Sequence, residues 1–305
     1  MVKILHDAPQ DLTILRRATG AFPCSVFDTR CAAGLACLSS TLSLSDLVAD
    51  VLGVQLGKTE SRTDWLQRPL TPEQILYAAE DVTCLHALRQ ELLRRAADLG
   101  RDKWLKEELA VLDDPGLYGE RDPREQYRHV KGSGRASRRE LAILRELAAW
   151  REEEARRSDR PRGRVVQDAT LMQLARTRPG TRAAVREVNG LGRRYADGVL
   201  EGIERGLSVP AEQCPERKPR RHPAEAKALR ARTELAMRRL REVTAAARMD
   251  APFVASRAEV ASMVGDRPRP DPARHRLLRG WRRHLVGDEL LDLLSDSPRP
   301  AETGR

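Results

Sequence analysis

Apolar residues recur along this chain on two different periods. Val2–His6 and Ser25–Asp28 are short apolar runs that each end in a polar residue, and both read as strands. Thereafter the helical period dominates. Thr71-Pro72-Glu73-Gln74 supplies an N-cap residue, a proline at the first helical position and an acid in the first turn. The helix that starts there carries Tyr77 and Asp81 on one face, one turn apart. A further helical run over 102–112 is broken by Asp113-Asp114-Pro115-Gly116, and 115–137 is polar, with Lys131-Gly132-Ser133-Gly134 its clearest linker. Leu141, Leu144, Leu147, Ala148 and Trp150 then mark an amphipathic helix. Asp168 is placed to cap a helix over 169–176, Arg178-Pro179-Gly180 stops it, and Asn189-Gly190-Leu191-Gly192 separates two more. Gln213–His222 is a basic, proline-containing linker. From Pro223 the pattern is helical again, with a start at Ser256 and a loop over 267–272.

Composition narrows the classes. The 305 residues leave room for two or three compact domains, and 40% hydrophobic residues suffice for packed cores although aromatics are only 4%. No apolar run approaches the roughly 20 residues of a membrane span, and the start lacks the layout of a signal peptide. Five cysteines without a C-x-x-C pair argue against a disulfide framework and a structural zinc, so a reducing cytoplasm is expected. The net charge of +10 is uneven. Residues 1–118 hold 13 basic and 17 acidic side chains, whereas 119–305 hold 42 and 28. Excess positive charge after the first third is the electrostatic pattern of a nucleic-acid-binding appendage. Only 7 of the 55 basic residues are lysine, which fits a GC-rich coding bias equally well.

The Tyr77–Asp81 pair has a definite chemical use, because a phenol beside a carboxylate is suited to orienting a water next to a bound divalent metal. Its surroundings sharpen that reading. Lys58-Thr59-Glu60-Ser61-Arg62-Thr63-Asp64-Trp65, Arg68-Pro69-Leu70 and Tyr77-Ala78-Ala79-Glu80-Asp81-Val82 together resemble the third exonuclease motif of the ribonuclease D family. Those enzymes are 3′–5′ exoribonucleases that use four acids and a tyrosine. Val2 to Leu12, with His6 and Asp11, resembles the family's second motif, and Phe27-Asp28-Thr29-Arg30 resembles the segment that follows it. Leu147–Val209, above all Arg160-Pro161-Arg162-Gly163-Arg164-Val165-Val166, is similar to an HRDC domain. Leu277–Trp281 and Leu290–Leu294 resemble the close of the family's second HRDC-like bundle.

The resemblance implies an α/β fold, an incomplete ribonuclease H-like exonuclease domain over 1–114, followed by two all-α HRDC-like helical bundles. Residues 115–137 would be a linker, 138–212 the HRDC domain, 213–222 a second linker and 223–298 the second HRDC-like domain. Asp11 and Asp81 would help hold Mg²⁺ or Mn²⁺ ions, and Tyr77 would orient the attacking water. Lys58 and Arg62 would contact substrate phosphate or, equally, form local surface pairs with Glu60 and Asp64, and in the HRDC module Arg160, Arg162 and Arg164 would contact substrate phosphate. Asp28 would act as a cap or turn residue, His6 as a hydrogen-bonded structural histidine, Trp65 as packing beneath the active-site helix, and Trp150 and Trp281 as core. The implied partner is RNA, tRNA precursors foremost, with DNA also open to the HRDC modules; no membrane and no obligate protein partner are expected.

One departure qualifies the expectation. The family's first motif, an Asp-x-Glu, precedes the second, and no Asp-x-Glu occurs in the first hundred residues. Two-metal phosphodiester cleavage holds its ions roughly 3.5–4 Å apart, largely through carboxylates, and two acids offset about half of their charge. Ribonuclease D-like sheets have about five strands, more than the two read here. The expectation is therefore a chain whose start is set too late and whose residues 1–305 alone are nearly inactive. The alternative is a catalytically inactive, HRDC-containing nucleic-acid-binding protein.

Overall fold

The computed structural model describes residues 1–57, 60, 61, 63–119, 122–217, 222–266 and 268–295. They form two compact units, one drawn from 1–119 together with 222–295, the other from 122–217.

In the first unit β1 (Lys3–Leu5) and β2 (Val26–Asp28) pair in parallel, with Ile4 opposite Phe27. Each strand feeds directly into a helix: β1 into α1 (Pro9–Thr19) and β2 into α2 (Thr29–Leu35). Then come α3 (Leu44–Leu52), α4 (Pro72–Thr83), α5 (Leu85–Asp98) and α6 (Asp102–Ala110). The expected helix over 102–112 thus closes at Ala110, with a tighter turn over Val111–Asp113.

The C-terminal segment contributes to the core of the first unit. Residues 223–298 were expected as a separate bundle and 1–114 as a domain ending before it. Instead α12 (Pro223–Ala246), α13 (Ala251–Val254), α14 (Arg257–Gly265), α15 (Gly280–Arg282) and α16 (Asp288–Ser295) share one core with the N-terminal segment. Phe27, Leu47, Leu88, Leu92 and Leu105 pack in it with Leu240, Val254, Met263, Trp281 and Leu290. A two-stranded sheet offers too little apolar surface to cover α2, α5 and α6, and the late helices supply the missing face. Trp281, expected in a bundle core, is 1% exposed and stacks on Trp104 with ring centroids 5.4 Å apart. Beside it Glu108 takes Arg282 Nη2 at 2.8 Å and Trp281 Nε1 at 3.1 Å. Gly280 allows the approach, because its φ of +49° suits glycine and an added Cβ would sit 1.4 Å from Glu107 Oε1.

The second unit is all-helical. α7 (Arg138–Arg157) starts at a capping box in which Ser137 and Glu140 satisfy each other's backbone N–H groups. α8 (Arg162–Val165), α9 (Asp168–Thr177), α10 (Arg182–Arg186) and α11 (Ala196–Ser208) follow. Gly206 of α11 lies so close to α7 that a Cβ there would be 2.4 Å from Ile143 Cα. The expected linker over 115–137 is largely structured. Residues 123–129 form 3₁₀ turns, and Tyr127, Val130 and Ala136 enter the core with Leu144, Leu171 and Val199. Three apolar side chains scattered in a polar stretch escape a helical period but still anchor it. At the other end, Arg138 donates to the carbonyls of Glu212 and Cys214, so the linker expected from Gln213 is tied down at its start. Asp168 is not the cap of its helix; Gln167 holds that position. The Asp168 carboxylate instead accepts from Lys131 N and pairs with the buried Arg151, each at 2.8 Å. Trp150 is partly buried and meets Tyr195 edge-on. Among the described residues no helix is long and apolar enough to cross a membrane.

Candidate active site

α4 begins as its sequence dictates. The Thr71 hydroxyl accepts from Gln74 N at 3.2 Å, and the Gln74 side chain accepts from Thr71 N at 3.0 Å. Gln74 is buried, and its Nε2 donates to Thr63 Oγ1 and the Asp64 carbonyl, tying the preceding loop to the helix start. Trp65 in that loop donates to the Glu60 carbonyl and lays its ring 5.9 Å from that of Tyr77. It therefore packs against the α4 residue of interest, as expected.

Asp11 arrives by a different route. It sits in the first turn of α1, immediately after β1. α1 has no cap from its own preceding side chain; Asp28 at the end of β2 serves instead. The Asp28 carboxylate accepts from Asp7 N at 3.1 Å, Ala8 N at 2.9 Å and Arg30 N at 2.8 Å, and the residue is 1% exposed. It is thus a cap, but one that serves two helices and fixes the β1–α1 corner. Asp7, with φ of +59°, turns its carboxylate to Arg30 rather than inward. His6 meets the Leu42 carbonyl through Nε2 at 3.2 Å and the Thr29 hydroxyl through Nδ1 at 2.9 Å. A carbonyl only accepts, so Nε2 carries the proton and both ring nitrogens are engaged. That is a structural histidine.

These elements enclose a cleft of about 710 Å³ whose walls include Asp11, Tyr77 and Asp81, together with His6, Ser43 and Asp46. Residues separated by more than sixty positions in sequence are thereby brought to one concave surface. Asp46 is an acid that motif reasoning missed. Its only sequence signal is position: Ser43 caps α3, and the third residue of such a cap is commonly acidic. Burial raises the Tyr77 phenol above its ordinary range, and the Asp81 charge adds to this. Burial, followed by the neighbouring Glu80, likewise raises the Asp81 carboxyl. Tyr77 therefore stays protonated at neutral pH and is able both to donate and to accept. Glu80 Oε2 takes Gly57 N at 3.3 Å, holding the 57 region to α4.

Lys58 and Arg62 lie outside the described residues. Arg160, Arg162 and Arg164 are exposed on the second unit, the latter two within the short helical turn of α8 rather than an irregular loop. Arg162 is engaged with Glu152 at 3.4 Å. Among the described residues no three His, Cys, Asp or Glu side chains group closely enough to hold an ion.

A 3′–5′ exonuclease family model matches residues 1–97, and an HRDC domain model matches residues 140–203. Ribonuclease D of Desulfotalea psychrophila is 40% identical over 222 residues, spanning 72% of this chain and 59% of that protein, less than two thirds of its length. Ribonuclease D of Pseudomonas paraeruginosa is 36% identical over 97% of this chain and 79% of its own. The crystal structure of Escherichia coli RNase D, an exoribonuclease involved in structured RNA processing, superposes with a TM-score of 0.81 at 27% identity, covering 98% of this chain and 80% of that one. An exonuclease family of this kind implies dependence on a divalent metal, and the nuclease and HRDC regions imply binding to nucleic acid. The chain belongs to the ribonuclease D family of 3′–5′ exoribonucleases.

Proposed function

We propose that the cleft is the Asp11–Tyr77–Asp81 part of a 3′–5′ exoribonuclease site acting on RNA 3′ ends, those of tRNA precursors among them. The observation that carries this reading is the convergence of these three side chains, from α1 and α4, on one open cleft. In it the Tyr77 phenol, protonated at neutral pH, holds a water by accepting one of its protons or donating to its oxygen. Asp81, one turn along, orients the second bond of that water. Asp11, across the cleft, supplies negative charge for the Mg²⁺ or Mn²⁺ ions that such chemistry uses.

Residues 1–305 on their own are accordingly expected to release mononucleotides very slowly from a 5′-labelled RNA in Mg²⁺, since misplacing an attacking group by a small distance already costs about 10²-fold in rate. Asp81→Asn should abolish whatever rate remains, and Tyr77→Phe should lower it about 10²-fold, within the range for a group that manages a proton. Robust Mg²⁺-dependent turnover lost in Asp81→Asn would refute the low activity while upholding the site. Turnover unchanged in both variants would refute the site. The loose grouping of acids also favours a second reading, a chain that binds nucleic acid through its helical regions without cutting it. Salt-sensitive RNA binding with no cleavage in Mg²⁺ or Mn²⁺ would establish that one.

A further inference from the structure

A second cavity, of about 270 Å³, opens in the first unit between α14 and residues 274–279, and it shares no lining residue with the cleft. Its walls include Glu259, Ser262, Arg274, His275, Arg276 and Arg279. Arg276 is committed to Glu259, which also receives Ser256 N at 2.8 Å. His275 is buried and meets Asp266 through Nε2 at 3.0 Å. Arg274 touches Asp266 at 3.2 Å, yet its side chain remains 69% exposed. Arg279 is exposed and has no carboxylate partner among the described residues. Three guanidinium groups thus face two carboxylates, and most donors of Arg274 and all those of Arg279 remain unused. The segment that carries them is not loose, because Leu277 and Leu278 are 1% and 3% exposed in the core directly beneath.

We infer that this cavity takes a phosphodiester group of a nucleic-acid strand. Arg279 and Arg274 donate to the phosphate oxygens, the Ser262 hydroxyl adds a neutral donor, and the Arg276–Glu259 pair braces the wall. Planar guanidinium forks match phosphate geometry, and an anchored backbone holds them in place without a ligand. The inference rests on the nucleic-acid reading above but concerns neither the cleft nor cleavage.

The test is fluorescence anisotropy of a labelled single-stranded RNA with the full chain, in EDTA so that the strand stays intact, over a range of salt concentrations. The double variant Arg274→Gln/Arg279→Gln is compared with Arg239→Gln/Arg283→Gln, which removes equal charge from surface arginines paired with Glu289 and Asp288. Loss of two phosphate contacts should flatten the plot of log affinity against log salt by about 1.4, or roughly 0.7 per contact for a single strand. The control pair should leave the slope nearly unchanged. Arg274, Arg279 and Arg283 are exposed and Arg239 is half-exposed, and matching far-UV circular dichroism confirms folding. Equal slopes in parent and cavity variant, or equal losses in both variants, would overturn the assignment. Inorganic phosphate, titrated calorimetrically, separates the remaining source. Saturable phosphate binding lost in the cavity variant, alongside unaltered RNA binding, would mark a small-anion pocket and overturn the strand site. An unaltered chain that binds no RNA at low salt would instead overturn the nucleic-acid reading, and this site with it.

Discussion

Asp28 shows how much a single side chain carries in this fold. Its carboxylate accepts three backbone N–H groups, and one of the residues it serves, Ala8, is fully buried. Leaving a buried donor without a partner costs about 1–3 kcal/mol, so Asp28→Ala should lower the urea midpoint of the first unit clearly, with Asp28→Asn losing less because one acceptor oxygen remains. Equivalent midpoints in chemical denaturation would remove this role. Asp81 poses the opposite problem. Burial and then Glu80 raise its carboxyl, so the folded state binds a proton more tightly than the unfolded chain does. Its ionisation therefore destabilises the fold as pH rises from the ordinary aspartate value through the raised one. Asp81→Asn escapes that penalty. Melting curves should place the variant nearer to, or above, the parent at about pH 7 relative to its position at about pH 3. A gap independent of pH would show that Asp81 is not held in the way the structure indicates.

At the level of elements, the two units depend on close contacts that are chemically unlike. α6 is bound to α15 by Glu108, whose carboxyl burial would raise but which Arg282 and Trp281 hold below the ordinary glutamate range. A depressed carboxyl contributes stability that is present above its unfolded value and lost as pH falls through the folded one. Acid should therefore weaken the first unit within that window, and Glu108→Ala should lessen the dependence, part of which the likewise depressed Glu259 carries, while destabilising by about 3–5 kcal/mol, since Arg282 is left buried without a counter-charge. In the second unit the α7–α11 seam depends on Gly206. Gly206→Ala forces a methyl into Ile143 backbone and should cost about 1–3 kcal/mol, the range for overpacking. Thermal denaturation with Trp150 fluorescence measures it. Sequence showed the elements of local origin well. The α4 cap, the β1 and β2 runs and the α7 stripe follow from neighbouring residues, and the Tyr77–Asp81 face with them. It did not show partners distant in the chain. That Asp28 caps α1, that Asp168 serves Lys131 and Arg151, and that α12–α16 complete the first core all arise from tertiary packing, which leaves no period to read. Asp46 is the same case at the cleft, an ordinary helix-start acid until the fold puts it in the wall of the cleft that Asp11 and Asp81 also line.

For the whole molecule, charge and exposed apolar surface pull in opposite directions as salt changes. Ten of the fourteen large apolar side chains exposed among the described residues lie within 1–82. Ile14 and Leu15 on α1 are 62% and 42% exposed, and Ile75 and Leu76 on α4 are 57% and 61%. Such exposure favours association, because covering apolar area gains about 25 cal/mol per Å². Unpaired strand edges add to it. Repulsion from the net charge of +10 opposes it, and salt screens that repulsion over a length of about 10 Å at 0.1 M. Self-association should therefore strengthen as salt is added, the reverse of RNA binding, which salt weakens by counterion release. Sedimentation velocity at low and high salt checks the first trend. Ile75→Gln/Leu76→Gln, exposed positions whose replacement should alter stability little, ought to suppress the association while leaving the RNA affinity of the chain as it was. Association that weakens with salt would mean that ion pairs, not this apolar surface, join the molecules.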